Sequence, residues 1–266
     1  MLMSLSFRQS DILEIAKDEG RVTVEELANR FAVTVQTIRR DLTELSEAGK
    51  LDRVHGGAVL RSGVSNIGYE DRRALNHDAK TSIAEQCAAD IAEGSAVFMN
   101  IGTSTEAVAR QLLNHKNLMI VTNNMNVANI LADNPECQIV VTGGVLRRAD
   151  NGLVGNLAVS TIRQFKFDHA IIGCSALDTD GDLMDFDLQE ILVSQTIIAQ
   201  ARKISLVADT SKFQRTAPAR IASLADIDTV YTDAPLPGEL PLKCTEWQTQ
   251  IVECSHTSQI SRKLIE

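Results

Sequence analysis

The chain has 266 residues, 44% of them hydrophobic, so it can bury a core in one large domain or in a small and a medium domain. A formal net charge of -9 and a pI near 5.1 argue against nucleic-acid binding over the whole surface, although a local basic patch can override this average. The five cysteines are widely spaced without a CxxC pair, which favours neither a disulfide framework nor a zinc knuckle. The start of the chain lacks a sustained apolar segment and no stretch is long and apolar enough to span a bilayer, so we expect a soluble cytoplasmic protein.

Three helices are predicted in the first fifty residues. The first covers residues 6–18 and carries its apolar side chains on one side. The second opens at "TVEE", where Thr23 can cap the helix and Glu26 can complete a capping box. After a tight connection, Thr34 can cap the third helix, which ends at Gly49.

The third helix is predicted to be amphipathic, because each helical residue advances by about 100° around the axis. Ile38, Leu42 and Leu45 fall on one face, whereas Asp41 and Glu44 project to a flank. The opposite, polar face comprises Gln36, Arg39, Arg40, Thr43 and Glu47. Two helices joined by a short turn, the second with basic residues outward, are typical of a helix-turn-helix, whose second helix lies in the DNA major groove.

Arginine can bind a guanine edge there through two hydrogen bonds, and glutamine can bind adenine in the same way. The candidate DNA-contacting residues of this helix are Thr34, Gln36, Thr37, Arg39, Arg40 and Thr43. The alternative is an ordinary solvated helix in which Asp41 and Glu44 supply ion pairs.

A β-hairpin is predicted for residues 50–60, "KLDRVHGGAVL", where apolar residues surround an "HGG" turn. Helices followed by a hairpin make a winged helix-turn-helix. Lys50, Arg53 and His55 are then expected to contact phosphates, which adds affinity without sequence preference.

The run "TIRRDL" followed by "G-x-L-x-R-x-HGGA" resembles the DeoR family of bacterial transcriptional regulators. The family commonly has serine where Thr34 stands, and either hydroxyl can cap a helix. The resemblance implies that residues 1–60 form a winged helix-turn-helix that binds double-stranded operator DNA.

A linker is predicted for residues 61–77, where glycine, serine and charged residues follow no sustained period. Beyond it, helical and apolar segments alternate, which predicts an open, mainly parallel α/β sheet in a second domain, residues 78–236. The predicted strands are "SAVFMNI", "NLMIVT", "CQIVVT", "HAIIGCS", "KISLVAD" and "DTVYTD". The predicted helices lie near residues 79–91, 105–113, 126–132, 156–164 and 188–202. Residues 237–266 are left as a C-terminal tail without an assigned role.

In sheets of this kind, ligands bind at the carboxyl ends of the strands. The segment "GTST" follows the first of these strands and opens a helix, so its amides and hydroxyls can cradle a phosphate; the alternative is a plain turn and helix cap. The candidate ligand-binding residues are Gly102, Thr103, Ser104, Thr105, Thr122, Asn123, Asn124, Gly143, Gly144, Glu190 and Lys212. Outside "GTST", each has the alternative of an ordinary turn, backbone or solvated role. The acidic run at residues 173–187 lacks EF-hand spacing, so no metal is expected.

The motifs "GTSTEAVA", "NLMIVTNNMNVANIL", "VTGG", "IIGCSALDTDGDLMDFD" and "DTSKF" occur in this order and resemble the same family. Its sensor domain is similar in fold to ribose-5-phosphate isomerase and recognises phosphorylated sugars or polyols. The resemblance implies a repressor that a small phosphorylated metabolite releases from DNA, with glycerol-3-phosphate favoured and another sugar phosphate as the alternative. Operator half-sites require at least a dimer, so we expect a homo-oligomer, a dimer or tetramer built mainly through the second domain, without a cofactor.

Three residues depart from the family pattern and leave the effector open. Asn100 stands where an aspartate commonly precedes the phosphate loop, and Leu192 and Ser194 stand where related repressors carry basic residues after the matching Glu190. Aldose–ketose isomerisation requires a positioned base, which Asn100 cannot supply, so we expect no catalysis. An isomerase with an accessory DNA-binding module is the alternative.

Overall fold

The computed structural model describes residues 6–19, 21–54, 56–60 and 68–254, and the chain divides into two compact units, Met1–Leu75 and Asn76–Glu266. The elements of the first unit are α1 (Phe7–Glu19), β1 (Arg21–Thr23), α2 (Val24–Arg30), α3 (Val35–Glu47), β2 (Leu51–Val54), β3 (Gly57–Leu60) and α4 (Tyr69–Ala74). The three predicted helices and the hairpin are confirmed. The additional strand β1 pairs with β3, so the antiparallel sheet has the order β1-β3-β2.

The core of the first unit is formed by the apolar faces of its helices and of the hairpin. Ile12, Leu27, Ile38, Leu42 and Leu51 are fully buried in this core. Each such side chain contributes about 1.5–3 kcal/mol when it leaves water. The third helix, α3, is therefore fixed by its apolar face, and its polar face is left outside.

A parallel sheet of seven strands in the order β15-β14-β12-β9-β4-β5-β6 forms the centre of the second unit, which confirms the predicted α/β class. The strands of this unit are β4 (Ala96–Met99), β5 (Leu118–Thr122), β6 (Cys137–Val141), β7 (Val145–Arg147), β8 (Gly152–Val154), β9 (Phe167–Ile172), β10 (Ala176–Leu177), β11 (Asp182–Asp185), β12 (Ala201–Val207), β13 (Ala219–Ser223), β14 (Thr229–Thr232) and β15 (Gln250–Glu253). Its helices are α5 (His77–Ala89), α6 (Thr103–Gln111), α7 (Met125–Leu131), α8 (Asn156–Ile162), α9 (Leu188–Gln200) and α10 (Leu240–Trp247).

Most of the strands that the sequence predicted are central strands buried on both faces, while the predicted β6 is a partly exposed edge strand. Val97, Phe98 and Met99 of β4, for example, are consecutive and fully buried, as in a parallel sheet covered by helices. The sequence did not indicate the short antiparallel pieces, namely the hairpin β7-β8 and the sheet β10-β11-β13. These short strands, such as "VLR" of β7 and "DLMD" of β11, contain no apolar run that stands out from a loop.

Two predicted boundaries differ from the structure. Residues 69–74 of the predicted linker form α4, while residues 61–67 lie outside the described part of the chain. In the predicted tail, β15 pairs in parallel with β14, so the sheet continues to Glu253; residues 255–266 are not described. One edge strand of four residues carries little sequence signal by itself, because its place is set by its partner strand.

Candidate nucleic-acid interface and sensor site

Threonine caps fix the starts of α2 and α3. The Thr23 hydroxyl accepts a hydrogen bond from the Glu26 amide at 3.2 Å and donates one to the Glu26 carboxylate at 2.7 Å. The Thr34 hydroxyl accepts from the Thr37 amide at 3.2 Å. Both hydroxyls satisfy amides that a helix start leaves unpaired. The predicted threonine caps are confirmed, but the Glu26 carboxylate binds the Thr23 hydroxyl and does not form the predicted capping box among the described contacts. The Thr34 hydroxyl is used for the helix.

The predicted faces of α3 are confirmed for most residues. The exposed residues are Gln36, Arg39, Arg40, Thr43 and Glu47, whereas Thr37 is half-buried. Asp41 does not project to a solvated flank as predicted, because its side chain is only 8% exposed and accepts hydrogen bonds from Arg8 at 2.5 and 3.1 Å. Arg8 was missed in the sequence because it lies 33 residues away. This pair ties α1 to the recognition helix α3.

The two adjacent arginines of α3 have different surroundings. Arg40 donates through Nε to the Glu44 carboxylate at 2.9 Å, and Glu44 also accepts from Gln9 at 2.7 Å. Among the described residues, the Arg39 guanidinium forms no hydrogen bond or ion pair. The alternative of a solvated helix with ion pairs thus applies to Arg40, whereas the Arg39 guanidinium is available to contact DNA.

The wing contributes a second guanidinium near Arg39. Burial, and then the charge of Arg39, lower the pKa of Arg53. Within the described part of the chain, the buried Nη1 of Arg53 has no hydrogen-bond partner. Lys50 is exposed, and His55 lies outside the described residues. Among the described residues, neither Arg39 nor Arg53 pairs with a carboxylate. A DNA phosphate beside them would therefore neutralise two like charges.

In the second unit, the turn after β4 leads directly into α6 at the carboxyl edge of the sheet. Gly102 adopts φ 150°, and the first helical hydrogen bond runs from the Glu106 amide to the Gly102 carbonyl at 3.0 Å. The Thr105 hydroxyl is used within the turn, since it lies 2.7 Å from the carbonyl oxygens of both Asn100 and Gly102. Thr103 is half-buried, and Ser104 is 7% exposed. The amides at this helix start remain the groups suited to an anion.

The polar residues after β5 are enclosed by protein. Thr122, Asn123 and Asn124 are 0% exposed. The Thr122 hydroxyl donates to the Met99 carbonyl at 2.7 Å, Asn123 Nδ2 donates to the Leu153 carbonyl at 3.2 Å, and Asn124 Oδ1 accepts from the α7 amides. Of the side-chain atoms of these three residues, Asn123 Oδ1 is the one that is buried without a hydrogen-bond partner among the described residues. These contacts account for the three residues as supports of the hairpin β7-β8 and of α7, and an effector role for them stays a prediction.

The paired glycines after β6 permit a close approach of backbone. A Cβ at Gly144, where φ is 122°, would lie 2.6 Å from the Val154 carbonyl oxygen, and one at Gly143 would lie 3.3 Å from the Leu157 side chain. The backbone contact at Gly144 excludes a side chain, and the φ of 71° at Gly143 makes any other residue strained there. Backbone geometry and packing therefore explain both glycines.

Glu190 belongs to a cluster centred on Arg147, which the sequence did not indicate. Arg147 donates to Asp150 at 2.6 and 3.0 Å, to Asp187 at 2.7 Å and also to Glu190. Burial and the charge of Asp185 raise the pKa of Glu190 to about 7, against the opposing charge of Arg147. Because Arg147 is separated from Glu190 by 43 residues, no local pattern joins them. The cluster attaches the hairpin β7-β8 to the start of α9.

Two of the residues that depart from the family pattern contact each other. Asn100 Nδ2 donates to the Ser194 hydroxyl at 2.8 Å, and Asn100 Oδ1 accepts from the Ile101 amide at 2.7 Å. Asn100 and Ser194 are each 1% exposed. A neutral hydrogen-bonded pair therefore lies directly beneath the turn to α6. The third such residue, Leu192, is 44% exposed.

Lys212 lies in a short 3-10 turn, Thr210–Gln214, after β12. Asp209 caps this turn and is only 2% exposed. Burial opposes its ionisation, but Lys212, hydrogen bonds from Ser211 and Asn76, and the charge of Lys80 together lower the pKa of Asp209. Lys80 of α5 is 6% exposed and was missed in the sequence, where it is one lysine on a predicted helix. The carboxyl edge of β12 thus carries two lysines around one carboxylate.

Comparison with known proteins decides the family. A family model described as the DeoR-like helix-turn-helix domain matches residues 8–63, and one described as the DeoR C terminal sensor domain matches residues 75–234. The chain belongs to the DeoR family. It is therefore a DNA-binding transcriptional repressor with a C-terminal sensor domain for a small effector, and it is not an enzyme. The isomerase alternative is set aside.

Several relatives match almost the whole chain. The glycerol-3-phosphate regulon repressor of Escherichia coli (strain K12) is 43% identical over 252 residues, which cover 95% of this chain and 100% of that protein. The HTH-type transcriptional repressor CsqR of the same organism is 39% identical over 245 residues, covering 92% and 94%. Among solved structures, ribose 5-phosphate isomerase A from Methanocaldococcus jannaschii has a TM-score of 0.39 at 14% identity, covering 52% of this chain and 55% of that chain.

Within the described ranges, every helix is too short or too polar to cross a membrane. The same part of the chain contains no group of three or more histidine, cysteine, aspartate or glutamate residues arranged to hold a metal ion.

Proposed function

We propose that a small phosphorylated polyol or sugar, with glycerol-3-phosphate as the first candidate, binds the sensor domain and releases the repressor from its operator. The observation that carries this proposal is the start of α6 at the carboxyl edge of the sheet, where helix amides follow Gly102. A helix start attracts phosphate through its amides and its dipole. The 43% identity to the E. coli glycerol-3-phosphate regulon repressor supports glycerol-3-phosphate in particular.

The Asn100–Ser194 pair supports the alternative, a repressor of the same architecture with a different sugar phosphate as effector. The pair is neutral, whereas the family pattern has an aspartate and a basic residue at these positions. A neutral pair beneath the phosphate turn changes the charge that an effector meets. Both candidate effectors carry a phosphate, so they differ in the hydroxylated carbon chain that the sensor domain must recognise.

The effector is tested by thermal unfolding of the full chain with glycerol-3-phosphate, ribose-5-phosphate, a hexose phosphate and inorganic phosphate. A ligand at about 100 times its Kd stabilises the folded state by about 2.7 kcal/mol, so the effector should raise Tm clearly above inorganic phosphate. The same compounds are then added to a complex with operator DNA. A shift and release with a pentose or hexose phosphate, but none with glycerol-3-phosphate, would replace the first candidate by the second.

On the DNA side, we propose that Arg39 contacts base edges, with Gln36 and Thr43 beside it on the exposed face of α3. Thr34, Thr37 and Arg40 are proposed to support this face and its phosphate contacts. Arg53, Lys50 and His55 are proposed to bind phosphates. The proximity of Arg39 to Arg53 supports this division, because a phosphate beside them relieves their repulsion.

We further propose a homo-oligomer that forms through the second unit, with a second copy of this chain as the partner. Support comes from an apolar surface of six exposed side chains, Val141, Val145, Leu146, Leu157, Leu188 and Leu192. They lie on neighbouring elements, since Leu157 reaches Gly143 after β6, and Arg147 of β7 binds Asp187 beside Leu188. Isolated exposed leucines are ordinary, but several together indicate an interface.

The oligomer is tested by light scattering of the full chain and of two matched variants. Leu188 is 73% exposed within the apolar surface, and Leu242 is 70% exposed on α10 outside it. Leu188→Glu should lower the mass and weaken operator binding, because two half-sites need two copies. Leu242→Glu should leave the mass unchanged. A native chain that is monomeric at micromolar concentration would refute the proposal.

A further inference from the structure

Asn76, the first residue of the second unit, is hydrogen-bonded to a buried carboxylate at the carboxyl edge of the sheet. Its Nδ2 donates to Asp209 Oδ1 at 2.7 Å, across 133 residues of sequence. Asp209 is 2% exposed and lies two residues after the end of β12. This contact joins the point where the chain enters the sensor domain to the edge at which ligands bind in such sheets.

Asp209 also holds the turn that carries Lys212. Its Oδ1 accepts hydrogen bonds from the Ser211 amide at 3.1 Å and the Ser211 hydroxyl at 2.5 Å. One carboxylate oxygen thus serves both Asn76 and the Lys212 turn. The Lys212 amide donates to the Asp209 carbonyl at 3.0 Å, and the charge of Lys212 is one of the causes that lower the pKa of Asp209. An anion bound at Lys212 is therefore expected to weaken the support that the ionised Asp209 carboxylate receives.

The backbone of Asn76 adopts a conformation that few residues tolerate. Its φ of 50° and ψ of 41° are left-handed, a conformation that asparagine and glycine tolerate better than other residues. The residue before it, Leu75, packs against Val54 at the end of β2 in the first unit. Asn76, which is hydrogen-bonded to Asp209, therefore directly follows Leu75, which packs against the wing residue Val54.

We propose that Asn76 couples the effector site to the DNA-binding unit. This inference rests on the proposed function and adds to it that the anionic effector, bound at the carboxyl edge of the sheet, also pairs with Lys212. That pairing withdraws positive charge from Asp209 and changes its hydrogen bond to Asn76. The left-handed turn then shifts, and Leu75 with it. Asn76 acts as a positioning residue, and its contribution appears in the ratio of operator affinities with and without effector.

The test uses the full chain and two substitutions that tolerate the left-handed backbone, Asn76→Asp and Asn76→Gly. Both remove the amide donor to Asp209. The matched control is Thr81→Ala on the same helix, since the Thr81 hydroxyl donates only within α5, to the His77 carbonyl at 2.9 Å. Operator Kd is measured with and without saturating glycerol-3-phosphate, and calorimetry gives the Kd of glycerol-3-phosphate for the DNA-free chain.

For the native chain and for Thr81→Ala, glycerol-3-phosphate is expected to raise the operator Kd by about 5- to 150-fold. In both Asn76 variants this ratio should fall below about threefold, while the Kd of glycerol-3-phosphate itself stays within about fivefold of native. Variants that keep the native ratio would overturn the proposal. So would variants that no longer bind glycerol-3-phosphate, since Asn76 would then be part of the binding site and not a coupling residue.

A measurement on the native chain covers the case in which the variants do not fold. Amide hydrogen exchange of residues 69–80 is followed with and without glycerol-3-phosphate. We expect glycerol-3-phosphate to change the protection of these amides. If it releases the native chain from operator DNA but leaves their protection unchanged, the coupling is overturned. If neither glycerol-3-phosphate nor any other compound of the panel releases the native chain from DNA, the proposed function itself fails and the coupling falls with it.

Discussion

Replacing Arg39 with alanine should erode sequence preference, whereas replacing Arg40 should weaken binding to all DNA. Arg39 has no side-chain partner to give up among the described residues, so its full two-point contact with a guanine edge is available. Such a contact is worth about 1–3 kcal/mol, or about a 5- to 150-fold loss of discrimination. Arg40 must leave Glu44 before it can bind a base. Without Arg40, the Glu44 carboxylate would repel any duplex.

The assay compares a duplex selected from a random pool by the native chain with a scrambled duplex, in competition at a fixed salt concentration. The ratio of the two Kd values reports discrimination, and the scrambled duplex alone reports non-specific affinity. Arg163→Ala is the control, because Arg163 is exposed in the second unit and removes the same charge. The assignment fails if Arg39→Ala keeps the native ratio, or if Arg40→Ala alone loses it.

Three further predictions concern the wing, the core of α3 and the Arg147 cluster. Lys50→Ala should weaken all duplexes alike and reduce the slope of log K against log salt by about 0.9; an unchanged slope means that Lys50 binds no phosphate. Leu42→Ala should lower the free energy of unfolding by about 2–5 kcal/mol in denaturant titration, since Leu42 is 0% exposed, and a loss below about 1 kcal/mol would contradict its place in the core. Because burial and Asp185 raise the pKa of Glu190 from 4.5 to about 7, the folded chain binds a proton that the unfolded chain releases, and this stabilisation is lost as pH rises through that window. The free energy of unfolding of Glu190→Gln, relative to that of the native chain, should therefore rise between pH 4.5 and 7. A difference that is constant over this range would rule the prediction out.

Local pattern was sufficient for the elements whose signal lies within a few residues. The caps at Thr23 and Thr34 and the buried stripe of Ile38, Leu42 and Leu45 are as predicted, because a cap spans three residues and a helical face repeats within four. The central strands were found for a similar reason. A strand buried on both faces is a short apolar run that needs no partner to be recognised.

The sequence also indicated the family of regulators, since "TIRRDL" and "HGGA" lie close together and in a fixed order. The polar face of α3 followed from the same stretch. The Arg40–Glu44 pair has the local i,i+4 spacing that the sequence offered as the alternative, whereas the hydrogen bond from Gln9 of α1 to Glu44 spans 35 residues and had no local signal.

Tertiary structure decided what each polar side chain at the sheet edge does. In sequence, Thr122, Asn123 and Asn124 looked equivalent to the phosphate turn, but the structure buries them and uses their side chains in hydrogen bonds to neighbouring backbone. Arg147 and Glu190 are partners because the hairpin β7-β8 packs against the start of α9, a contact between residues 43 apart in the chain. Sequence determined which groups are present and which local elements carry them. Pairing across tens of residues was decided by the order of strands in the sheet, because that order brings distant loops to one edge and no period in the chain encodes it.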